Sequence, residues 1–134
     1  MSISHNQIVY IEDDLDMIDL VSLILNPKGF NVKGAHGGKD GLEIIKKEAP
    51  DLILLDLMMP DMDGWEVYHL LKADPATSQI PVIIITAKSQ PIDQVLGLSI
   101  AKVDDYISKP FHPAQLVESV QQILARNKLS RETH

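Results

Sequence analysis

Glu12, Asp13, Asp56, Thr86 and Lys109 are the residues whose types and placement suit chemistry at phosphorus. Each stands at or just after a short apolar run. Ile8 to Ile11 (IVYI) is followed by Glu12, Asp13 and Asp14, and Leu52 to Leu55 (LILL) by Asp56. Val82 to Thr86 (VIIIT) leads into Ala87, and the run from Val103 to Ile107 leads into Ser108, Lys109 and Pro110. In an open α/β sheet the functional crevice lies beyond the carboxyl ends of the strands. Acids, a hydroxyl and an ammonium therefore converge at one end of such a sheet. Two carboxylates about 4 Å apart repel by roughly 4 kcal/mol at an effective dielectric near 20. Clustering Glu12, Asp13 and Asp56 thus calls for a cation. Oxygen donors alone favour Mg²⁺, with Mn²⁺ as the alternative, and Mg²⁺ keeps waters and accepts phosphate oxygens. A carboxylate beside that ion can attack phosphorus. Lys109 and the Thr86 hydroxyl would stabilise charge on the transferred group.

An aspartate at a strand end more often shapes a turn or caps a helix. That is our reading of Asp14, at the start of the first helix, and of Asp61 and Asp63, which shape a loop and cap the third. The five histidines show no ligand spacing and are read as surface residues.

The elements that must carry these groups are legible as alternating patterns. Ile8–Ile11, Asn31–Ala35, Leu52–Leu55, Val82–Thr86 and Val103–Ile107 read as strands. The third and fourth are apolar at nearly every position, as parallel strands covered on both faces require. Between them lie helical stripes. Met17, Leu20, Val21 and Ile24 form one, and Leu42, Ile45 and Ala49 a second. Val67, Leu70 and Leu71 form a third, Ile92, Val95 and Leu96 a fourth, and Leu116, Val120, Ile123 and Leu124 a fifth. Pro27 and Gly29 break the first helix, and Pro113 suits the first turn of the last. Asp63 followed by Glu66 has the spacing of a capping box. The succession of βα units predicts an α/β fold with an open parallel sheet and right-handed crossovers. We place one domain over residues 1–127 and a fraying polar tail over residues 128–134.

Composition narrows the function classes. A chain of 134 residues with 45% hydrophobic residues can bury one full core. It contains no cysteine, which excludes disulfides, thiol nucleophiles and thiolate-held metals. No signal-peptide pattern opens the sequence, and no apolar stretch is long enough to span a bilayer. A cytoplasmic protein without membrane contact is expected. The formal charge of −7, with no Lys/Arg run, argues against direct binding of nucleic acid.

The segments YIEDD, LILLDLMMPDMDG, PVIIITA and DDYISKPF together resemble the receiver domain of bacterial two-component response regulators. The resemblance covers roughly Gln7 to Asn127. It implies a five-stranded parallel sheet in the order 2-1-3-4-5, flanked by five helices, as in flavodoxin-like and chemotaxis-regulator-like proteins. It makes Asp56 the acceptor of a phosphoryl group from a phosphohistidine on a sensor histidine kinase or phosphotransfer protein. Glu12, Asp13, Asp56 and the Met58 backbone carbonyl become the Mg²⁺ ligands. Thr86 becomes the hydroxyl that contacts the phosphoryl group, Lys109 the family's lysine, and Tyr106 the aromatic switch that follows Thr86. Lys109 and Pro110 would be joined by a cis peptide bond. Output would pass to a downstream protein through the fourth helix, the fifth strand and the fifth helix, with dimerisation on phosphorylation as one form.

Two features depart from the family pattern, and a third concerns the two positions beside the phosphoryl site that vary within it. Ala101-Lys102-Val103 replaces a stretch of small residues, Gly37-Gly38 replaces a commoner Asn-Gly turn, and Met58 and Lys88 offer no group to orient an attacking water. The last feature leads us to expect slow self-dephosphorylation. We expect no enzyme activity beyond phosphorylation and dephosphorylation of Asp56. An aspartyl phosphatase would need a second acid two residues after the nucleophile, where Met58 stands. The remaining alternative is an interaction module of the same fold that works without phosphorylation.

Overall fold

Leu52, Ile53, Leu54 and Leu55 are all fully buried, so the strand they form must be covered on both faces. The computed structural model describes residues 6–87 and 103–132, with side chains described through residue 127. The strands are β1 (Gln7–Ile11), β2 (Asn31–Ala35), β3 (Leu52–Leu55), β4 (Val82–Ala87) and β5 (Asp105–Lys109). All pair in parallel, in the spatial order β2-β1-β3-β4-β5. The described helices are α1 (Leu15–Leu25), α2 (Gly38–Glu48), α3 (Gly64–Ala73) and the C-terminal α4 (Pro113–Glu132), with a short 3₁₀ turn at Asn26–Lys28. The stripe expected on Ile92, Val95 and Leu96, and Lys88 beside it, lie outside the described residues. Four α-helices are therefore described where five were expected.

Strand alternation divides the core into two layers. Ile8 and Tyr10 of β1 pack with Ile18, Val21 and Leu25 of α1 and with Leu116, Val120 and Ile123 of α4. Val9 and Ile11 face the other way, onto Ile45 of α2 and Val67, Tyr68 and Leu71 of α3. Burying a Leu or Ile side chain contributes about 1.5–3 kcal/mol, so this sheet interior is the main source of stability. The sheet edge at β2 is more open, with Asn31 and Lys33 exposed.

Several expectations shift in detail. The buried stripe of α1 is Ile18, Val21 and Leu25, while Leu20 is 44% exposed. LDMIDLVSLIL offers apolar residues on almost every side, and contact with β1 selects the phase. In α3 the buried pair is Val67 and Leu71 with Tyr68, and Leu70 is 46% exposed. β5 begins two residues later than expected, because Asp104 is used at the strand entrance. Its N–H donates to Val82 O at 3.0 Å, and its carboxylate accepts the Val82 N–H at 2.8 Å. The residues expected to fray continue the backbone of α4 as far as Glu132. Ala125, Arg126, Lys128 and Leu129 are good helix formers and sustain the helix without an apolar stripe.

The terminators fall where the sequence predicts, except that Asp63 caps α3 through Trp65 and does not form a capping box with Glu66. Asp14 caps α1 by accepting the N–H groups of Asp16 and Met17. Asp63 caps α3 by accepting that of Trp65. Gly29, at φ +94°, ends the first helical segment in the left-handed region where glycine is favoured.

Candidate functional site

The site lies at the carboxyl ends of β1, β3, β4 and β5. Glu12 and Asp56 sit one residue past their strands yet remain in the ladder. The Glu12 N–H donates to Ala35 O at 2.9 Å and the Asp56 N–H to Ile11 O at 3.0 Å. Rigid backbone therefore sets the position of both carboxylates. Register does the same for the other groups: Thr86 pairs with Ser108, and Ala87 with Lys109. The Lys109–Pro110 peptide bond is cis.

Carboxylate oxygens of Glu12, Asp13 and Asp56 lie within 4.8 Å of one another. Glu12 and Asp56 are buried, at 1% and 4% exposure, whereas Asp13 is open to solvent. Lys109 is drawn into the cluster. Its Nζ lies 2.6 Å from Glu12 Oε1 and 3.6 Å from Asp56 Oδ2. One ammonium balances one of three formal negative charges, so the cluster stays strongly attractive to a cation. The donors are all oxygens, and the exposed side at Asp13 leaves room for retained waters. Both features fit Mg²⁺.

Asp56 Oδ1 accepts the Met58 N–H at 3.2 Å, which folds the following loop back over the carboxylate. The loop is closed at its base by Gly64, whose N–H donates to Leu57 O at 3.1 Å. A Cβ on Gly64 would lie 2.4 Å from Leu57 Cα and 2.6 Å from Asp56 O, both backbone atoms that cannot yield. Gly64 thus lets α3 start directly against the Asp56 backbone.

Thr86 is fully buried, and its Oγ1 has no hydrogen-bond partner among the described residues. Such a group costs about 1–3 kcal/mol, and at this position it is ready for an incoming oxygen. Tyr106 pairs in register with Ile84, two residues before Thr86. Alternation along the strands places Tyr106 and Thr86 on the same face. Tyr106 is half-buried against the layer formed with α2 and α3.

Tyr10 was not singled out from sequence, and Asp61, expected to shape its loop and help cap α3, instead caps α2 while Asp63 alone caps α3. Tyr10 is fully buried and its hydroxyl donates to Glu12 Oε1 at 3.0 Å. Burial above all, then the Glu12 charge and the hydrogen bond to it, pushes the phenol far above its ordinary pKa and keeps it a donor. The available signal was a tyrosine two positions before an acid on one strand, hence on the same face. Asp61 accepts N–H groups from the start of α2 and so reaches well beyond its own loop. Asp14, as expected, serves the helix. His36, His69 and His112 are exposed, and His5 and His134 lie outside the described residues.

The sequence profile of the response regulator receiver domain matches residues 8–121. The chain belongs to the response regulator receiver family. Receiver domains are generally phosphoacceptors of two-component phosphorelays and bind Mg²⁺ in an acidic pocket. The DNA-binding response regulator MtrA of Mycobacterium tuberculosis is 38% identical over 127 residues, covering 95% of this chain and 54% of MtrA. The transcriptional regulatory protein CpxR of Escherichia coli is 39% identical over 127 residues, covering 95% of this chain and 53% of CpxR. The chain spans about half the length of these relatives. A solved CheY-like receiver domain protein from Methanospirillum hungatei superposes with a TM-score of 0.84 at 30% identity. That match covers 95% of this chain and 99% of the other.

These relatives correct one expectation. The absence of a Lys/Arg cluster predicts no nucleic acid as a partner, yet the relative MtrA is named a DNA-binding response regulator. Charge in the receiver segment describes that segment alone, and the relatives extend about as far again. Regarding membranes, no described helix is long and apolar enough to cross one.

Proposed function

We propose that this receiver is a phosphorylation switch in which Asp56 accepts a phosphoryl group from a phosphohistidine, with Mg²⁺ bound beside it. The observation that carries the reading is the meeting of Glu12, Asp13 and Asp56 oxygens within 4.8 Å, with Lys109 reaching two of the three. Glu12, Asp13, Asp56 and the Met58 carbonyl would hold the ion, which supplies charge neutralisation at the phosphoryl oxygens.

The chain's own residues have distinct tasks. An Asp56 Oδ attacks phosphorus, the P–N bond to the donor imidazole breaks, and the bonding pair leaves with the ring nitrogen. The product is an acyl phosphate on Asp56. Lys109 is held at the site by Glu12 and can turn to the new phosphoryl oxygens. Thr86 offers its unused hydroxyl to one of them, and Tyr106 moves into the space that Thr86 leaves. Phosphorylation adds about −1.5 to −2 charges at the strand ends. Moving a two-state equilibrium from 1:99 to 99:1 takes about 5.5 kcal/mol of differential stabilisation, part of which these two bonds supply. The output is an altered protein-binding surface. Relatives named a DNA-binding response regulator and a transcriptional regulatory protein make transcriptional control a further output to test. The Met58 side chain is 50% exposed and offers no group to orient water, so hydrolysis of the acyl phosphate should be slow. A lifetime of seconds would contradict that point.

Borohydride trapping tests the assignment of the residue. Hydride reduces an aspartyl phosphate to homoserine, and peptide mapping then shows where it formed. Homoserine at position 56 supports the reading. Its appearance at Asp13 or Asp61 instead would overturn it, and its absence everywhere would favour a module that works without phosphorylation.

A further inference from the structure

Helix α2 begins without a cap of its own. Its N-cap position is Gly37, which has no side chain to accept the orphan N–H groups of the first turn. The cap comes from elsewhere in the chain. Asp61 Oδ1 accepts the Gly38 N–H at 3.1 Å and Oδ2 accepts the Lys39 N–H at 3.4 Å, across 23 and 22 residues. Asp61 belongs to the loop that follows Asp56 and carries Met58.

A side chain at residue 37 would crowd the cross-loop cap. A Cβ on residue 37 would stand 2.9 Å from both Asp61 carboxylate oxygens. Gly38 is equally tight, since its Cβ would lie 2.8 Å from Met62 Sδ and 2.8 Å from Val67 Cγ2. The Gly37-Gly38 pair thus leaves room for the loop to seat on α2. The loop is then tied at two points. Gly64 closes its base against Leu57, and Asp61 fastens its far side to α2. Met58 lies between the ties, with its N–H on Asp56.

We propose that Asp61 is a positioning residue for the metal site, holding the loop of Met58 in place through the first turn of α2. The proposal rests on the reading of Asp56 and its neighbours as the Mg²⁺ site. A plain helix cap would make the same two hydrogen bonds, so the test must separate capping from tethering.

The protein is titrated with Mg²⁺ while Trp65 fluorescence and thermal melting are followed. Four forms are compared: wild type, Asp61→Ala, Asp61→Asn, and Asp61→Ala combined with Gly37→Asp. The last removes the tether, clears the space beside residue 37 and supplies a local cap of equal charge. Asp61→Ala should weaken Mg²⁺ binding about tenfold, the scale for losing a group that holds a metal ligand in place. Asp61→Asn keeps one acceptor and should fall between. The double variant should regain the melting temperature but not the Mg²⁺ affinity. Recovery of both together, or unchanged affinity in Asp61→Ala, would reduce Asp61 to a cap. If wild type itself binds no Mg²⁺, the proposed function fails first and this inference with it.

Discussion

Lys109 and Glu12 stand 97 residues apart in the chain and meet through a 2.6 Å ion pair at the mouth of the sheet. The pair parks an ammonium beside Asp56 before any phosphoryl group arrives. It also means that Lys109 and a metal ion compete for the same negative field. Replacing Lys109 with Met should therefore tighten Mg²⁺ binding, by about fivefold or more. Two unit charges about 4 Å apart exchange roughly 1 kcal/mol even in bulk water. The same variant should be phosphorylated more slowly and respond less. A Mg²⁺ titration in which Lys109→Met binds more weakly than wild type would contradict this arrangement.

Tyr10 acts on the same carboxylate in the opposite direction. Its hydroxyl fixes Glu12 Oε1 from within the core, while the Asp14 N–H holds Oε2 at 3.2 Å. Tyr10→Phe deletes one buried bond to a charged acceptor, which costs about 1.5–3 kcal/mol of stability. It also frees Glu12 to reorient, so Mg²⁺ affinity should fall about tenfold. Urea unfolding and Mg²⁺ titration check the two effects separately.

Thr86 presents a different balance. Its hydroxyl is buried without a partner in this state, so Thr86→Val should stabilise the unphosphorylated protein by about 1 kcal/mol. The gain should come with a weakened response, read as a smaller change in Trp65 fluorescence or Tyr106 chemical shift on phosphorylation. A destabilised variant would show that the hydroxyl is already satisfied.

Asp61 gives the site a signature in acid. Its carboxyl is held below the ordinary value of 3.8, first by the Gly38 N–H and then by those of Lys39 and its own backbone, with the Lys39 charge adding to them. The folded state therefore binds this proton less readily than the unfolded chain. The stability it contributes is present above the ordinary carboxylate value and is lost as pH falls through the lower, folded value. Melting temperatures of wild type and Asp61→Asn should differ near neutral pH and converge in acid. A constant gap across that range would remove the carboxylate charge from the explanation.

Much of this was legible in the sequence, for identifiable reasons. LILL and VIIIT read as strands covered on both faces, and the groups behind them then share one end of the sheet. The pattern puts Glu12, Asp13, Asp56, Thr86 and Lys109 there, and the structure brings the three acids together with Lys109. Such a pattern fails where it is locally degenerate. In α1 the apolar residues are so dense that Leu20 and Ile18 compete for the core, and packing on β1 decides. At β5 the strand entrance depends on a bond from Asp104 to Val82, 22 residues away. The partnership of Asp61 with Gly37 and Gly38 was hidden for the same reason. A glycine in sequence reports a missing side chain, but only the fold shows which neighbour fills its place.

Whether Asp56 carries the phosphoryl group in a Mg²⁺-dependent reaction can be read from intact mass. Wild type and Asp56→Asn are incubated with a small acyl phosphate, with and without Mg²⁺, and weighed. One phosphoryl group should be added to wild type with Mg²⁺, and none without the ion or on the variant. An adduct that persists on folded Asp56→Asn, or no adduct on folded wild type, would contradict that role of Asp56.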